Sequence, residues 1–477
     1  MKLTLTTGAA LLLTTAATAG GIDRTLNNYS VLFEDGNYAE LAFSFVRPDV
    51  TGEYPTALGG GSTGVMSEDY ETAAFSMKYE LNPTVDLGLF VNQPFGADAS
   101  YPEGLYTGLA AEWDSNQVAL VLKYQATPNI SVYGGVRSIE SQADILIPNA
   151  LVAGPIAQSL GAQAQADGAV AQEIGARALA IGGRAQDTAD RAQAAAQQAA
   201  AAAAAGDLAQ AQTLGARAAA LGAQAGELRD NAVALGAQAE AQGAAAQALG
   251  AQAQAIGDIA QTASPTDGPY TYRANTESDR RTSYIIGAAY ERPEIALRVA
   301  LTYESGYTHE FESFETIPAL AAFPVTSVTE IEMPDVLTLD FQTGVAPGTL
   351  VFGSIRHATW SDWQVAPAGY LALTGGPVTG IDDDVTTYRI GVGRAFTDQL
   401  SGFARFTYED GNGTELSRLA PTDGSRAFGI GGSYTRGAVK FTGGLEYIDF
   451  GDGNDASGTV FADNDAVGLG LSVGYSF

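Results

Sequence analysis

Hydrophobic and polar residues alternate one by one along most of this chain, in runs of roughly ten residues punctuated by turn-forming positions. The clearest apolar faces are Phe75-Met77-Tyr79-Leu81, Val118-Leu120-Leu122-Tyr124 and Ile295-Leu297-Val299-Leu301-Tyr303. Between the apolar positions Val439, Phe441, Gly443, Leu445 and Tyr447 lie Lys440, Thr442, Gly444 and Glu446, so charge falls opposite bulk. The final run sets Val467, Leu469, Leu471, Val473, Tyr475 and Phe477 against Gly468, Gly470, Ser472, Gly474 and Ser476. A barrel wall requires that sorting, with a greasy face toward lipid and a small or charged face toward the lumen. An ordinary β-sandwich strand is the competing reading of this last run.

Counting such runs gives fourteen, and their connections alternate short and long. The short ones are Asn82-Pro83-Thr84, Thr127-Pro128-Asn129, Arg292-Pro293-Glu294, Ala346-Pro347-Gly348, Thr397-Asp398-Gln399 and Arg436-Gly437. The long ones fall near 50–69, 95–106, 149–269, 305–325, 366–382, 410–424 and 450–464. Tight periplasmic turns and long extracellular loops are the habit of outer-membrane barrels. The expected class is therefore all-β membrane: a 14-stranded antiparallel transmembrane β-barrel. Tyrosines gather at run ends, where an interfacial girdle belongs.

The third long connection breaks the pattern. Residues 150–265 are rich in Ala, Gln and Gly, and Leu-Gly-Ala-Gln-Ala-x-Ala recurs. Leu214, Leu221, Leu228, Leu235, Leu249 and Ile256 share one heptad register, with alanine four residues after each of several of them. Such spacing is a coiled-coil seam. With Ala199 to Ala205 followed by Gly206-Asp207 as a turn, the segment reads as a long α-helical hairpin inserted in the third extracellular loop. Each arm would run about 50 residues, or roughly 75 Å. Glycine follows nearly every seam residue, as at Gly215, Gly222, Gly236, Gly250 and Gly257, and the regularity suggests close backbone approach. A low-complexity, partly disordered insertion is the alternative.

Composition narrows the compartment. Met1-Lys2, an apolar stretch from Leu3 to Ala17 and Ala17-Thr18-Ala19 read as a cleavable signal peptide over 1–19. No other segment has the bulky apolar run of a spanning helix. The chain has no cysteine, which excludes disulfides and thiolate metal sites. Its net charge of −30 excludes nucleic acid as a partner. Acidic loop stretches at Asp382-Asp383-Asp384 and 449–465 read as solvated surface, although divalent cations bridging to lipopolysaccharide would suit them. No metal site or cofactor is expected.

Several segments resemble the FadL-type outer-membrane transport proteins for long-chain fatty acids and related hydrophobic compounds. Gly88-Leu89-Phe90-Val91-Asn92-Gln93-Pro94-Phe95-Gly96 looks like that family's third strand, and Phe45 to Val50 like the end of its first. Met333-Pro334-Asp335-Val336 and Phe352 to Trp363 look like its eighth and ninth strands, and Tyr388 to Gly393 like its tenth. The resemblance implies a barrel of strands 1–5 over 38–149 and strands 6–14 over 266–477, preceded by a plug at 20–37. That plug is shorter than the family's and lacks Asn-Pro-Ala, which implies a more open pore or different gating. It also implies a lateral opening at Pro94, Phe95 and Gly96. On the residues alone, Pro94 removes a ladder donor and Gly96 loosens the strand, although a strand simply ending there fits equally well.

An apolar stretch in a loop stands out. Ile317, Leu320 and Phe323, extended by Leu371, are the candidate ligand-binding residues at the extracellular end. Packing against neighbouring loops is the plain alternative. No catalytic residue is expected: His309 and His357 are far apart in sequence, with no triad-like arrangement around either. The leading expectation is passive uptake of a hydrophobic small molecule by a monomeric barrel in the outer membrane of a Gram-negative bacterium, in contact with outer-membrane lipid and lipopolysaccharide. Two others stand beside it. One is a structural or adhesive protein displaying the helical insertion to a surface protein partner. The other is a general diffusion porin whose pore is lined by Lys78, Arg298, Asp340, Arg389, Arg405 and Glu446.

Overall fold

A computed structural model describes residues 22–413 and 415–477. The predicted signal peptide lies outside the described residues. Fourteen strands form one closed antiparallel barrel. The first five are β1 (Tyr38–Asp49), β2 (Tyr70–Asn82), β3 (Val85–Asn92 and Gly96–Ser100), β4 (Ala110–Thr127) and β5 (Ile130–Ile147). Then come β6 (Tyr272–Thr276 and Asp279–Arg292), β7 (Leu297–Glu304 and Tyr307–Thr316), β8 (Val325–Met333 and Val336–Ala346) and β9 (Thr349–Ala358). The last five are β10 (Val385–Ala395), β11 (Leu400–Glu409), β12 (Ser425–Arg436), β13 (Val439–Phe450) and β14 (Asp465–Ser476). The cylinder closes where β1 pairs with β14, from Tyr38↔Ser476 to Asp49↔Asp465. Closure joins the first strand to the last, as a bilayer demands because it offers no water to unpaired peptide groups.

Burial runs opposite to that of a soluble protein. Leu120, Leu122, Ile286, Phe428, Phe441, Leu445 and Leu471 are exposed on the outside. Lys78, Lys123, Arg137, Arg298, Arg356, Arg389 and Arg405 are buried inside. Only a solvent of acyl chains makes that arrangement stable, so the outward band is the membrane face. The six short connections stand where the sequence places them. Two long loops are shorter than expected, because strand pairing continues through Gly96–Ser100 and Tyr307–Thr316. There Glu310 and Glu312 face out, so the apolar alternation that marks bilayer-crossing strands is lost although the ladder persists.

The segment between β5 and β6 is a second compact unit, 149–264. It consists of α1 (Asn149–Ala204) and α2 (Leu208–Thr262), joined at Ala205-Gly206-Asp207. Gly206 takes φ 88°, and the Asp207 side chain caps α2 by accepting from the Gln210 amide at 3.0 Å. Gly175 faces Ala239, Gly182 faces Ala232, Ala171 faces Gly243 and Ala164 faces Gly250. One heptad forward on α1 is thus one heptad back on α2. The seam is alanine at its centre: Ala171, Ala178, Ala185, Ala225, Ala246 and Ala253 are buried. The close-approach reading of the glycines is corrected by this geometry. A Cβ on Gly215, Gly222, Gly236 or Gly257 would meet nothing within 4 Å, and on Gly175 or Gly250 only a methyl at ordinary contact distance.

Candidate functional site: a break in the wall and the plug behind it

Pairing in the wall is interrupted between β6 and β7, from Ile285↔Glu304 to Thr276↔Ser313, and beside β3. Its ladder with β2 runs from Asn82↔Val85 to Phe75↔Val91 and stops. Above that point β2 continues to Tyr70 and β3 resumes at Gly96–Ser100, yet these stretches do not pair with each other. They meet again only at the isolated bridge Ser67↔Ala99. On the other side β3 keeps β4, with Asn92↔Gln117 below the break and Gly96↔Asp114 above it. Three β3 residues, 93–95, therefore oppose two of β4, and the extra residue pushes the strand out of line. Pro94 has no amide to offer a neighbour, so the defect sits where pairing costs least to lose. Ser115 holds the displaced segment by exchanging hydrogen bonds with the Phe95 amide (2.8 Å) and carbonyl (2.6 Å).

The predicted plug stands directly behind this break. The Arg24 amide donates to the Pro94 carbonyl at 2.8 Å, and the Gly96 amide donates to the Ile22 carbonyl at 2.8 Å. Arg24 also donates through Nε to the Gly96 carbonyl at 2.9 Å, and its guanidinium lies 3.5 Å from the centre of the Tyr70 ring. A Cβ on Gly96 would come within 2.8 Å of the Arg24 side chain, which would then have to shift. Ile22–Arg24 thus acts as a short internal strand laid over the gap. Asn92 and Gln117 extend the hold, donating to the Thr25 carbonyl (3.2 Å) and to Asn27 Oδ1 (2.7 Å) respectively.

Deeper in the lumen the plug turns apolar. A 3₁₀ turn at Tyr29–Phe33 packs Val31 and Leu32 against Phe90, Val121, Tyr133 and Ile285. Lumen charges then clasp it: Lys78 donates to the Glu34 carbonyl (2.5 Å), Lys123 to the Leu32 carbonyl (2.8 Å), and Arg356 pairs with Asp23 at 2.9 Å. Burial within the lumen raises the Asp23 carboxyl above its ordinary range, although Arg356 pulls the other way. The short plug does not leave these groups in water. Of the charges named for a porin, Lys78, Arg298, Arg389, Arg405 and Glu446 point inward and are buried and Asp340 is half-buried, with Arg405 bidentate on Glu446 at 2.7 and 3.0 Å.

Beside the break lies a cavity of about 140 Å³. Ile22, Val50, Met66, Leu419, Pro421 and Phe450 supply apolar walls, with Arg24, Glu68 and Asp98 among them. It is lined by the plug, the first long loop and residues 419–422 of the sixth. The loop residues predicted to meet ligand lie elsewhere on that end. Ile317 is buried, Leu320 and Phe323 are half-buried, and Leu371 is 44% exposed. Phe323 and Tyr370 both pack on Tyr272, with ring centres 6.4 and 5.0 Å away. The buried Glu315 joins them, accepting from Tyr272 Oη (2.9 Å) and from the amides of Gly369 (2.8 Å) and Tyr370 (2.7 Å) in the short helix α3 (Ala368–Thr374).

Sequence reasoning named Pro94, Phe95 and Gly96 but missed Ile22–Arg24 as their cover and the unpaired upper half of β2. Nothing periodic marks a three-residue inner strand. A lone arginine close behind a predicted signal peptide was the one available hint.

No family model matches the sequence, and no curated protein does. The fold is matched among solved structures. A Pseudomonas aeruginosa FadL homologue aligns with a TM-score of 0.58 at 10% identity, over 94% of this chain and 93% of that one. The Pseudomonas putida toluene transporter TodX aligns at 0.51 and 13% identity, over 97% of each chain. A TodX deltaS2S3 mutant, a monoaromatic hydrocarbon channel, gives 0.52 at 13% identity over 96% of this chain and 98% of its own. This chain has the FadL-type barrel fold.

Proposed function

We propose that this barrel is a passive outer-membrane channel for hydrophobic small molecules, releasing them sideways into the bilayer through the gap between β2 and β3. The single observation that carries the reading is the wall itself. Pairing stops at Phe75↔Val91 and resumes only at Ser67↔Ala99, and an apolar cavity backs onto the opening. Hydrocarbon gains about 0.8 kcal/mol for each CH₂ leaving water, so travel from the loop end into lipid is downhill without an energy source. Ile22–Arg24 closes the gap from within, and its displacement opens the path. Capture falls to the half-buried Leu320 and Phe323 and the exposed Leu371, with Ile317 holding that loop in place. The FadL homologue and the toluene transporter with the same fold support a cargo of this kind and an outer-membrane location.

The test is accumulation of a long-chain fatty acid, and separately of toluene, in proteoliposomes carrying the purified chain. Faster accumulation of either than in protein-free vesicles is expected, with no steady ion conductance in planar bilayers. Conductance without hydrophobic uptake would make the barrel a porin instead.

A further inference from the structure

The chain has only three tryptophans, and the fold gathers all of them into the loop-side half of the lumen. They form a continuous file with two neighbours on β7. Tyr307 lies 5.1 Å from His309, His309 6.0 Å from Trp113, Trp113 6.1 Å from Trp363, and Trp363 6.3 Å from Trp360. The last step, 5.8 Å, reaches Phe95 in the break of β3. The file therefore crosses the lumen and ends at the proposed exit.

Each of its polar members has a buried atom with no hydrogen-bond partner among the described residues: Tyr307 Oη, His309 Nε2 and the indole Nε1 of Trp113, Trp360 and Trp363. A buried polar atom left unpaired costs about 1–3 kcal/mol. His309 is oriented from behind. Its Nδ1 stands 2.7 Å from the Asp279 carboxylate, which only accepts, so Nδ1 carries the proton and Nε2 of the neutral ring presents a lone pair. The file thus offers indole donors, one imidazole acceptor and a phenol that does both, all on aromatic faces.

We propose that this file binds phenol-class ligands, single aromatic rings whose hydroxyl accepts from an indole N–H and donates to His309 Nε2. The ring joins edge-to-face packing of the kind the file already shows. A plain hydrocarbon leaves every one of these polar atoms unpaired. A carboxylate has no proton for Nε2 and meets a chain of net charge −30. A quaternary ammonium satisfies no indole donor and sits near Arg137, whose guanidinium lies 5.9 Å from the Tyr307 ring. The inference rests on the uptake reading above and names the cargo of that route.

Because every tryptophan lies in the file, intrinsic fluorescence reports its occupancy directly. Purified protein is titrated with 4-ethylphenol and with its near-isostere 4-ethyltoluene at matched free concentrations. The phenol is expected to half-saturate at a concentration about tenfold lower, the worth of one to two well-made hydrogen bonds. His309→Phe should narrow that difference most, while 4-ethyltoluene still binds. Trp360→Phe, which keeps a ring and removes one donor, should shrink it. Equal affinities for both probes in the native chain would overturn the proposal and leave hydrophobic uptake standing. No saturable response to either, with uptake intact in proteoliposomes, would also overturn it. Absence of both binding and uptake would remove the channel reading too.

Discussion

The barrel and the helical hairpin solve the same problem, where to put apolar surface, in opposite ways. In the barrel, bulk faces out and charge faces in, because the solvent outside is hydrocarbon and the interior is filled by a clasped plug. Backbone pairing there is between distant residues, so wall stability depends on register and on what fills the lumen. In the hairpin the backbone bonds are local, and the seam is alanine methyls flanked by buried Ile256 and half-buried Leu214, Leu221, Leu228 and Leu235. Large side chains such as Leu179 and Val233 stand largely outside it. The comparison teaches that one chain can carry a unit specified by inside–outside sorting and another specified mainly by helix propensity and a repeat.

Substitutions break or sharpen that contrast. The largest effect is expected in the lumen. Glu446→Ala strands the fully buried Arg405 without its bidentate partner, at a cost of about 3–5 kcal/mol. Its hairpin counterpart, Asp167→Ala, loses only a 3.3 Å contact from Gln242 and should change stability by under about 0.5 kcal/mol. Urea titration of detergent-solubilised protein, followed by heat-modifiable gel mobility for the barrel, separates the two. Next comes the lipid face: Leu445→Arg in the middle of β13 should cost about 2–4 kcal/mol. Leu179→Arg on α1, at a position 80% exposed, should be near neutral.

Glycine gives the subtlest version. In the wall, a Cβ on Gly135 would stand 2.0 Å from the Leu120 carbonyl oxygen, so Gly135→Ala should destabilise by about 1–3 kcal/mol. In the hairpin, Gly215→Ala and Gly222→Ala meet open space and should each stabilise the helix by about 1 kcal/mol. A higher helical melting temperature by circular dichroism, with the barrel transition unmoved, is the expected result. Loss of helix in either variant would restore the close-approach reading.

The same contrast explains what the sequence could show. Strand number, turn positions and the hairpin's register were legible, because each is a period imposed by one repeated environment. Tyr307–Thr316 was not legible as strand, since beyond the bilayer both of its faces are polar or mixed and period alone loses its meaning. The defect at Pro94 was visible in composition. Its width was not, because that depends on β2 and β3 failing to pair across residues far apart in sequence. Nor could any local pattern reveal that Trp113, Trp360 and Trp363 meet, or that Arg24 stacks on Tyr70.

Lateral passage through the gap is tested most directly by clamping it. Ser67 and Ala99 are bridge partners at its upper margin, and residues so paired in an antiparallel sheet lie about 4.5–5.5 Å apart, within disulfide reach. The chain has no native cysteine to interfere. In a Ser67→Cys/Ala99→Cys variant, hydrophobic uptake by proteoliposomes should fall severalfold on oxidation and return on reduction, while either single variant transports normally. Undiminished uptake with the disulfide formed would show that cargo does not leave between β2 and β3.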